Sequence, residues 1–89
     1  MYKTSVYKVN VYLCLKGFVP CNIEEDRPYK GKPQFLFTWD VKNMEGLSEA
    51  ITESREIEIS KEDFNRGADK YWELVRDKFP RDKDNGRRD

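Results

Sequence analysis

Between residues 60 and 79 the apolar side chains recur every three or four positions, and most of the intervening residues are charged or polar. This spacing places the apolar residues on one face of an α-helix. Ser60 is suited to cap the N-terminus, Asp63 follows three residues later as in a capping box, and Pro80 predicts the end of the helix. The pattern predicts a long amphipathic helix around which the rest of the chain is organised. Its apolar face consists of Phe64, Ala68, Tyr71, Val75 and Phe79, with Trp72 and Leu74 widening it.

The stretch that ends at Gly17 fits two structures. Residues 9–15 alternate between aliphatic and mostly more polar side chains, which is the period of a half-buried strand. The same stretch begins with Thr4 and Ser5, which can cap a helix, and Gly17 lies where a helix C-terminus favours glycine. The residues alone leave strand and helix open.

Two later segments, residues 19–24 and residues 34–40, alternate with period two and flank a turn-rich loop at 27–33. This arrangement predicts an antiparallel β-hairpin. Phe35, Phe37 and Trp39 share one face of the second strand. We expect that face to pack, aromatic on aromatic, against the long C-terminal helix.

A short helix is predicted between the hairpin and the long helix, with Asp40 as its N-cap. The spacing of its apolar residues supports it, although Gly46 weakens it by about 1 kcal/mol relative to alanine. Residues 55–59 alternate again, which predicts a short third strand or an extended connector. Residues 1–79 are predicted to form one small domain, and residues 80–89, which contain no apolar side chain that could be buried, a disordered charged tail.

The charge is balanced overall, with 17 Lys and Arg against 17 Asp and Glu, so the chain lacks the basic field of a general nucleic-acid binder. The acids concentrate in residues 40–63. There, glutamates recur on one side of the predicted short helix, which indicates a solvated helix face or an acidic patch that docks a basic partner. The residues of this acidic patch are Glu45, Glu49 and Glu53.

The chain contains no histidine, so the usual general base near neutral pH and the commonest metal ligand are both missing. Cys14 and Cys21 are too few to close a zinc site, and no nucleophile has a base beside it in the pattern. We therefore predict that the protein is not an enzyme and uses no metal or cofactor. No signal peptide or membrane-length apolar span is recognised, which predicts a soluble cytoplasmic protein.

The hairpin loop is the best candidate for ligand contact, because it combines three cations with an exposed aromatic ring. Such a loop can neutralise phosphates and stack on a base, whereas the competing interpretation is a loop kept charged for solubility, beside the acids of residues 24–26. The candidate nucleic-acid contacts are Arg27, Tyr29, Lys30 and Lys32. A separate candidate is a homo-oligomer contact through Trp72 and Leu74 at the sides of the long helix.

Several short motifs resemble a family of small bacterial and phage proteins of unknown function. The matching residues are Thr4 and Ser5, the run Lys16, Gly17, Phe18, the strand residues Phe35 and Phe37, and Phe64, Ala68 and Lys78 in the last helix. The resemblance spans about residues 4–78, and the valine-rich first element departs from the leucine- and alanine-rich helix of that family. It implies a helix for the first element, a phage or mobile-element setting, and no particular activity.

With that helix, the predicted fold is α+β: an N-terminal helix, a two-stranded antiparallel hairpin, a short helix, and a long C-terminal helix packed on the sheet. The leading functional prediction is a non-catalytic factor of a phage or mobile element that acts by binding another protein. Nucleic-acid binding through the hairpin loop and the basic tail is the alternative. A structural homo-oligomer is the weaker one.

Overall fold

The computed structural model describes residues 1–79, and within them it contains three helices and a three-stranded antiparallel sheet. This is the predicted α+β fold. The predicted tail, residues 80–89, lies outside the described residues. In chain order the elements are β1 (Tyr2–Thr4), α1 (Tyr7–Leu15), β2 (Asn22–Tyr29), β3 (Lys32–Trp39), α2 (Leu47–Glu56) and α3 (Lys61–Lys78).

The sheet has the order β1-β3-β2, and both outer strands run antiparallel to β3. The two outer strands are therefore parallel to each other, and α1 connects them across one face while β3 is inserted between them, as in a split βαβ unit. Phe37 lies opposite Thr4 on one side and Ile23 on the other. The side chains of Phe35, Phe37 and Trp39 are buried on the helical face of β3, as predicted.

The first element is a helix, as the family resemblance implied, and the strand period was misleading because α1 is buried on nearly every side. All six residues from Val9 to Cys14 are at most 3% exposed, so the sequence shows no polar stripe. The helix ends at a Schellman motif: Phe18 N–H donates to Leu13 O, Gly17 N–H donates to Cys14 O, and Gly17 has a φ of +93°. A strand does precede α1, at residues 2–4.

The long helix α3 begins as predicted, with the backbone N–H of Asp63 donating to the Ser60 hydroxyl at 3.2 Å. Fewer of its side chains are buried than in α1, so α1 and not α3 is the central element of the core. The two helices cross closely at Gly67. A Cβ at this position would lie 2.6 Å from the backbone oxygen of Val11 and 2.8 Å from its Cγ1, so the crossing requires glycine.

A buried polar bridge joins the sheet to α1. The indole N–H of Trp39 donates to Oδ1 of Asn10 at 2.9 Å, and the Asn10 amide donates to the Thr4 backbone oxygen at 3.1 Å. Asn10 and Trp39 are both fully buried. Because a buried amide without partners costs about 1–3 kcal/mol, this bridge fixes the position of α1 against β1 and β3.

Two predictions about the connection from β3 to α3 were wrong. The short helix begins at Leu47, after a turn, and Asp40 caps that turn through Asn43 instead of capping a helix. Of the two alternatives predicted for residues 55–59, the third strand is wrong: Arg55 and Glu56 complete α2, and residues 57–59 form a connector, as the other alternative proposed. The third strand is β1, whose three residues are too short to give a recognisable period.

Candidate functional site

The structure contains an open concavity of about 360 Å³ between the end of the β2–β3 hairpin, the start of α1 and the middle of α3. We call it the aromatic hollow. Four aromatic residues and a proline supply its apolar surface, and one lysine is the charged residue among its lining side chains. The lining residues are Ser5, Tyr7, Tyr29, Lys32, Pro33, Gln34, Tyr71 and Trp72, with Tyr29 the most exposed of the rings.

The wall of the aromatic hollow is a fixed cluster of rings. Tyr7 lies edge-on to Tyr71 with ring centroids 4.9 Å apart, and Tyr71 lies edge-on to Trp72 at the same distance. The indole N–H of Trp72 donates to the Tyr7 hydroxyl at 2.9 Å. Behind them Phe35 contacts Trp72 edge-on, at 5.9 Å, and joins the wall to the sheet. Edge-to-face pairs of this kind add to the stability from burial alone, so the wall is preformed.

The exposed side of the aromatic hollow is set by the hairpin turn. Tyr29 and Lys32 pair across the strands, and Lys30 and Gly31 between them have φ values of +52° and +77°. Two positive φ values are typical of a type I′ turn, whose twist suits a tight hairpin. The turn places the Lys30 ammonium 5.4 Å from the centroid of the Tyr29 ring, so this exposed ring carries a cation on one face.

Two buried groups, the Tyr71 hydroxyl in the wall of the hollow and the Cys14 thiol behind it, are held in their neutral forms. Burial raises the pKa of the Tyr71 hydroxyl far above its ordinary value, and the nearby Tyr7 and Cys14 raise it further. Burial also raises the pKa of the Cys14 thiol to about 12, against a smaller opposing effect of Lys70. A nucleophilic cysteine requires the opposite shift. Within residues 1–79 no group of three His, Cys, Asp or Glu side chains is arranged to hold a metal ion.

The structure brings some of the predicted site residues together and separates others. Tyr29 and Lys32 line the aromatic hollow with Trp72, which had been assigned to a different candidate surface. Arg27 is exposed on β2, outside the lining, where its backbone N–H donates to Asp26. Leu74 lies on the opposite side of α3 from Trp72, at a shallow groove with Cys14 and Phe18. The two residues proposed as one oligomer contact therefore do not share a surface.

The predicted acidic patch is a row along α2 and the turn before it. Glu45 precedes the helix, and Glu49 and Glu53 lie one turn apart within it, all exposed. Glu53 accepts a hydrogen bond from the Tyr12 hydroxyl at 3.1 Å. The ion pair found in the described part of the chain is Arg66 with Asp63, so the three glutamates have no cationic partner there. None of them lines the aromatic hollow.

Sequence reasoning missed Tyr7 and Tyr71 as lining residues of the hollow because their spacing is that of core positions. Tyr71 is indeed 2% exposed, whereas Tyr7 is 38% exposed. The signal that distinguishes them is position: Tyr7 opens α1 directly after β1, where a helix still has an uncovered turn. Ser5, Pro33 and Gln34 carried no pattern that could identify them.

Comparison of the chain with protein-family models, with curated proteins and with solved structures finds no match. The family resemblance noted in the sequence therefore stays a prediction. None of the helices within residues 1–79 has the length and apolar character required to cross a membrane.

Proposed function

We propose that this chain is a non-catalytic binding protein that takes a short segment of a partner protein into the aromatic hollow. The observation that carries the proposal is the convergence of Tyr29 and Lys32, at the exposed hairpin end, with Trp72 of α3 in one concavity. Aromatic residues are enriched at protein interfaces, where they supply large contact areas with little loss of side-chain entropy. A preformed wall lowers the ordering cost of binding further.

Two observations argue against catalysis as the use of this site. Burial raises the pKa of both the Tyr71 hydroxyl and the Cys14 thiol, so neither group is activated as a nucleophile or a base. The chain has no histidine to act as a base for a serine or a thiol. Binding, and not bond making, is the chemistry that the aromatic rings and a single lysine support.

The biological setting that we propose is that of an accessory or host-modulating factor of a phage or mobile element, acting in the bacterial cytoplasm. This part depends on the sequence resemblance alone. The acidic patch of α2 is the competing docking surface for a basic partner, and the experiment is designed to separate the two surfaces.

The test is a selection of random twelve-residue peptides, displayed on phage, against the immobilised protein. Three baits are compared: the wild type, a hollow variant with Tyr29→Thr and Lys32→Ser, and an acidic-patch variant with Glu45→Lys and Glu49→Lys. All four substituted side chains are exposed, so each variant is expected to keep its stability within about 0.5 kcal/mol. Glu53 is left unchanged because it accepts the hydrogen bond from Tyr12.

We expect peptides enriched on the wild type to bind the acidic-patch variant equally well and the hollow variant at least tenfold more weakly. The opposite result, in which the acidic-patch variant loses the peptides and the hollow variant keeps them, would move the docking surface to α2. Enrichment that is the same on all three baits would refute both surfaces. Circular dichroism and urea unfolding of each bait establish that it is folded.

Nucleic-acid binding is a second candidate, favoured by the position of Lys30 over the Tyr29 ring beside Arg27 and Lys32. Base stacking on exposed rings together with phosphate neutralisation is the usual mode of binding to single strands. A fluorescein-labelled twelve-nucleotide thymidine strand tests it. Affinity that falls steeply as salt rises and disappears in a variant with Arg27, Lys30 and Lys32 changed to alanine would support this candidate.

A further inference from the structure

We propose that the segment bound in the aromatic hollow presents one large apolar side chain with a carboxylate close to it. This inference rests on the proposed function, because it specifies the chemistry of the partner for the same site. It follows from the size of the hollow, from the charge of its lining and from the contacts that its rings already make with neighbouring side chains.

The size of the hollow limits what can enter it. Its volume of about 360 Å³ is near the lower end of the range for ligand sites, which begins at roughly 300 Å³. Tyr29 is the most exposed ring of this open concavity, and Tyr7, Tyr71 and Trp72 supply the rest of its aromatic surface. One large apolar side chain inserted against these rings, with its backbone passing over the hairpin end, makes use of both the space and the opening.

The charge of the lining specifies what lies beside that side chain. Lys32 is the lining residue with a formal charge, and Lys30 is next to it in the turn. The other polar groups of the lining, Ser5 and Gln34, can donate hydrogen bonds to an anion. No carboxylate lines the hollow. An anionic neighbour of the inserted side chain therefore meets attraction at the rim.

The arrangement of the rings favours a peptide over an unpaired base. The Trp72 ring is held edge-to-face by Tyr71 and Phe35, with interplanar angles of 79° and 88°. Stacking of successive bases needs open ring faces along a cationic groove. Here Tyr71 and Trp72 are engaged by neighbouring rings, which leaves Tyr7 and Tyr29 as the exposed rings of the lining.

The experiment changes the charge at Lys32 and compares the amino-acid composition of the peptides that each variant selects. The displayed twelve-residue library is selected in parallel on the wild type, on Lys32→Met and on Lys32→Glu. We expect the wild type to enrich a large apolar residue flanked by Asp or Glu, and Lys32→Glu to shift the flanking residues to Lys or Arg. The strongest wild-type peptide, made synthetically, should bind Lys32→Met about threefold more weakly and Lys32→Glu roughly tenfold more weakly, because reversal replaces attraction with repulsion.

The outcomes separate this inference from the function on which it rests. Peptides that keep the apolar residue and need Tyr29, but show no acidic preference and no response to Lys32→Glu, would overturn the inference and leave the proposed function in place. Peptides whose binding is insensitive to Tyr29→Thr would overturn both. The thymidine strand and free copies of the same synthetic peptide are compared as competitors for the bound peptide. If the thymidine strand displaces it at the lower concentration, a nucleic acid replaces the protein as the partner.

Discussion

The two tryptophans of this protein each donate a hydrogen bond through the indole N–H, but Trp39 lies in the core and Trp72 lines the aromatic hollow. The indole N–H of Trp39 donates to Asn10, and that of Trp72 donates to the Tyr7 hydroxyl, both at 2.9 Å. Trp39 and its acceptor are fully buried, whereas Trp72 is half-buried and Tyr7 is 38% exposed. The difference shows that satisfying a polar atom does not distinguish a core residue from a surface one. What distinguishes them is whether other residues of the fold pack against every side of the ring.

The comparison is tested most strongly by truncating each ring in turn. We expect Trp39→Ala to cost about 3–5 kcal/mol, because it removes a fully buried ring and also leaves the Asn10 carbonyl without its donor. For a domain whose total stability is of the order of 5–15 kcal/mol, that change brings it close to unfolding at 25 °C. Trp72→Ala should cost about 1–2 kcal/mol, since Trp72 is only partly buried and some of its surface is already in contact with water. Urea unfolding followed by circular dichroism measures both.

A matched pair refines this result. Trp39→Phe removes the N–H group and part of the ring, so its cost combines the orphaned side-chain carbonyl of Asn10 with a small cavity. Trp72→Phe removes the same group from a position where water can replace it, and should cost less than Trp39→Phe. Equal costs for the two phenylalanine variants would show that the Asn10 bridge contributes nothing beyond an exposed hydrogen bond.

The second prediction concerns the side of α3 that faces α1. Gly67→Ala would bring a Cβ within 2.6 Å of the Val11 backbone oxygen, and backbone cannot rotate away as a side chain can. We expect the helices to separate and stability to fall by about 1–3 kcal/mol, even though alanine is the better helix former. Asn65→Ala, at an exposed position of the same helix, is the control and should be neutral or slightly stabilising. Chemical denaturation in which Gly67→Ala is as stable as the wild type would show that the crossing is not tight.

The parts of the fold that sequence reasoning predicted are those in which one face of an element is exposed. The long helix α3 and the strand β3 each have one side that is buried in the core and one side that is less buried. Their periods of 3.6 and 2 therefore remain visible in the sequence. Ser60 predicted the start of α3 through local side-chain chemistry, and Gly17 was compatible with the end of a helix without deciding between helix and strand. The fold class followed from these elements.

The remaining features depend on contacts between distant parts of the chain. The helix α1 lost its pattern because the sheet, α2 and α3 cover it from several directions, and Asn10, a polar residue at the centre, is explained only by Trp39 and Thr4. The aromatic hollow combines Tyr7, Tyr29 and Trp72 from three elements. Tyr29 and Trp72 were identified separately, but no spacing in the sequence relates them.

The contrast between buried and exposed sites also applies to the two thiols. Cys14 is 2% exposed and burial raises its pKa to about 12, whereas Cys21 is exposed. At pH 8 one thiol per chain, that of Cys21, should react quickly with Ellman's reagent, and the second should react only when urea unfolds the protein. A Cys21→Ser variant that reacted as fast as the wild type would contradict this assignment.

The same shift makes stability depend on pH in a direction that can be stated. The unfolded chain releases the Cys14 proton near its ordinary pKa of roughly 8.5, while the folded protein retains it up to about pH 12. The folded state therefore binds more protons in this window, and the free energy of unfolding falls as pH rises through it. Tyr71, whose pKa is also raised by burial, adds to the fall at the upper end. Between pH 7 and pH 10 the wild type should lose more stability than Cys14→Ala does, measured by urea unfolding at each pH. Equal losses of stability in the two proteins would show that the Cys14 thiol is not desolvated in the folded state. The centre of α1 would then be more accessible to water than the neighbouring Trp39.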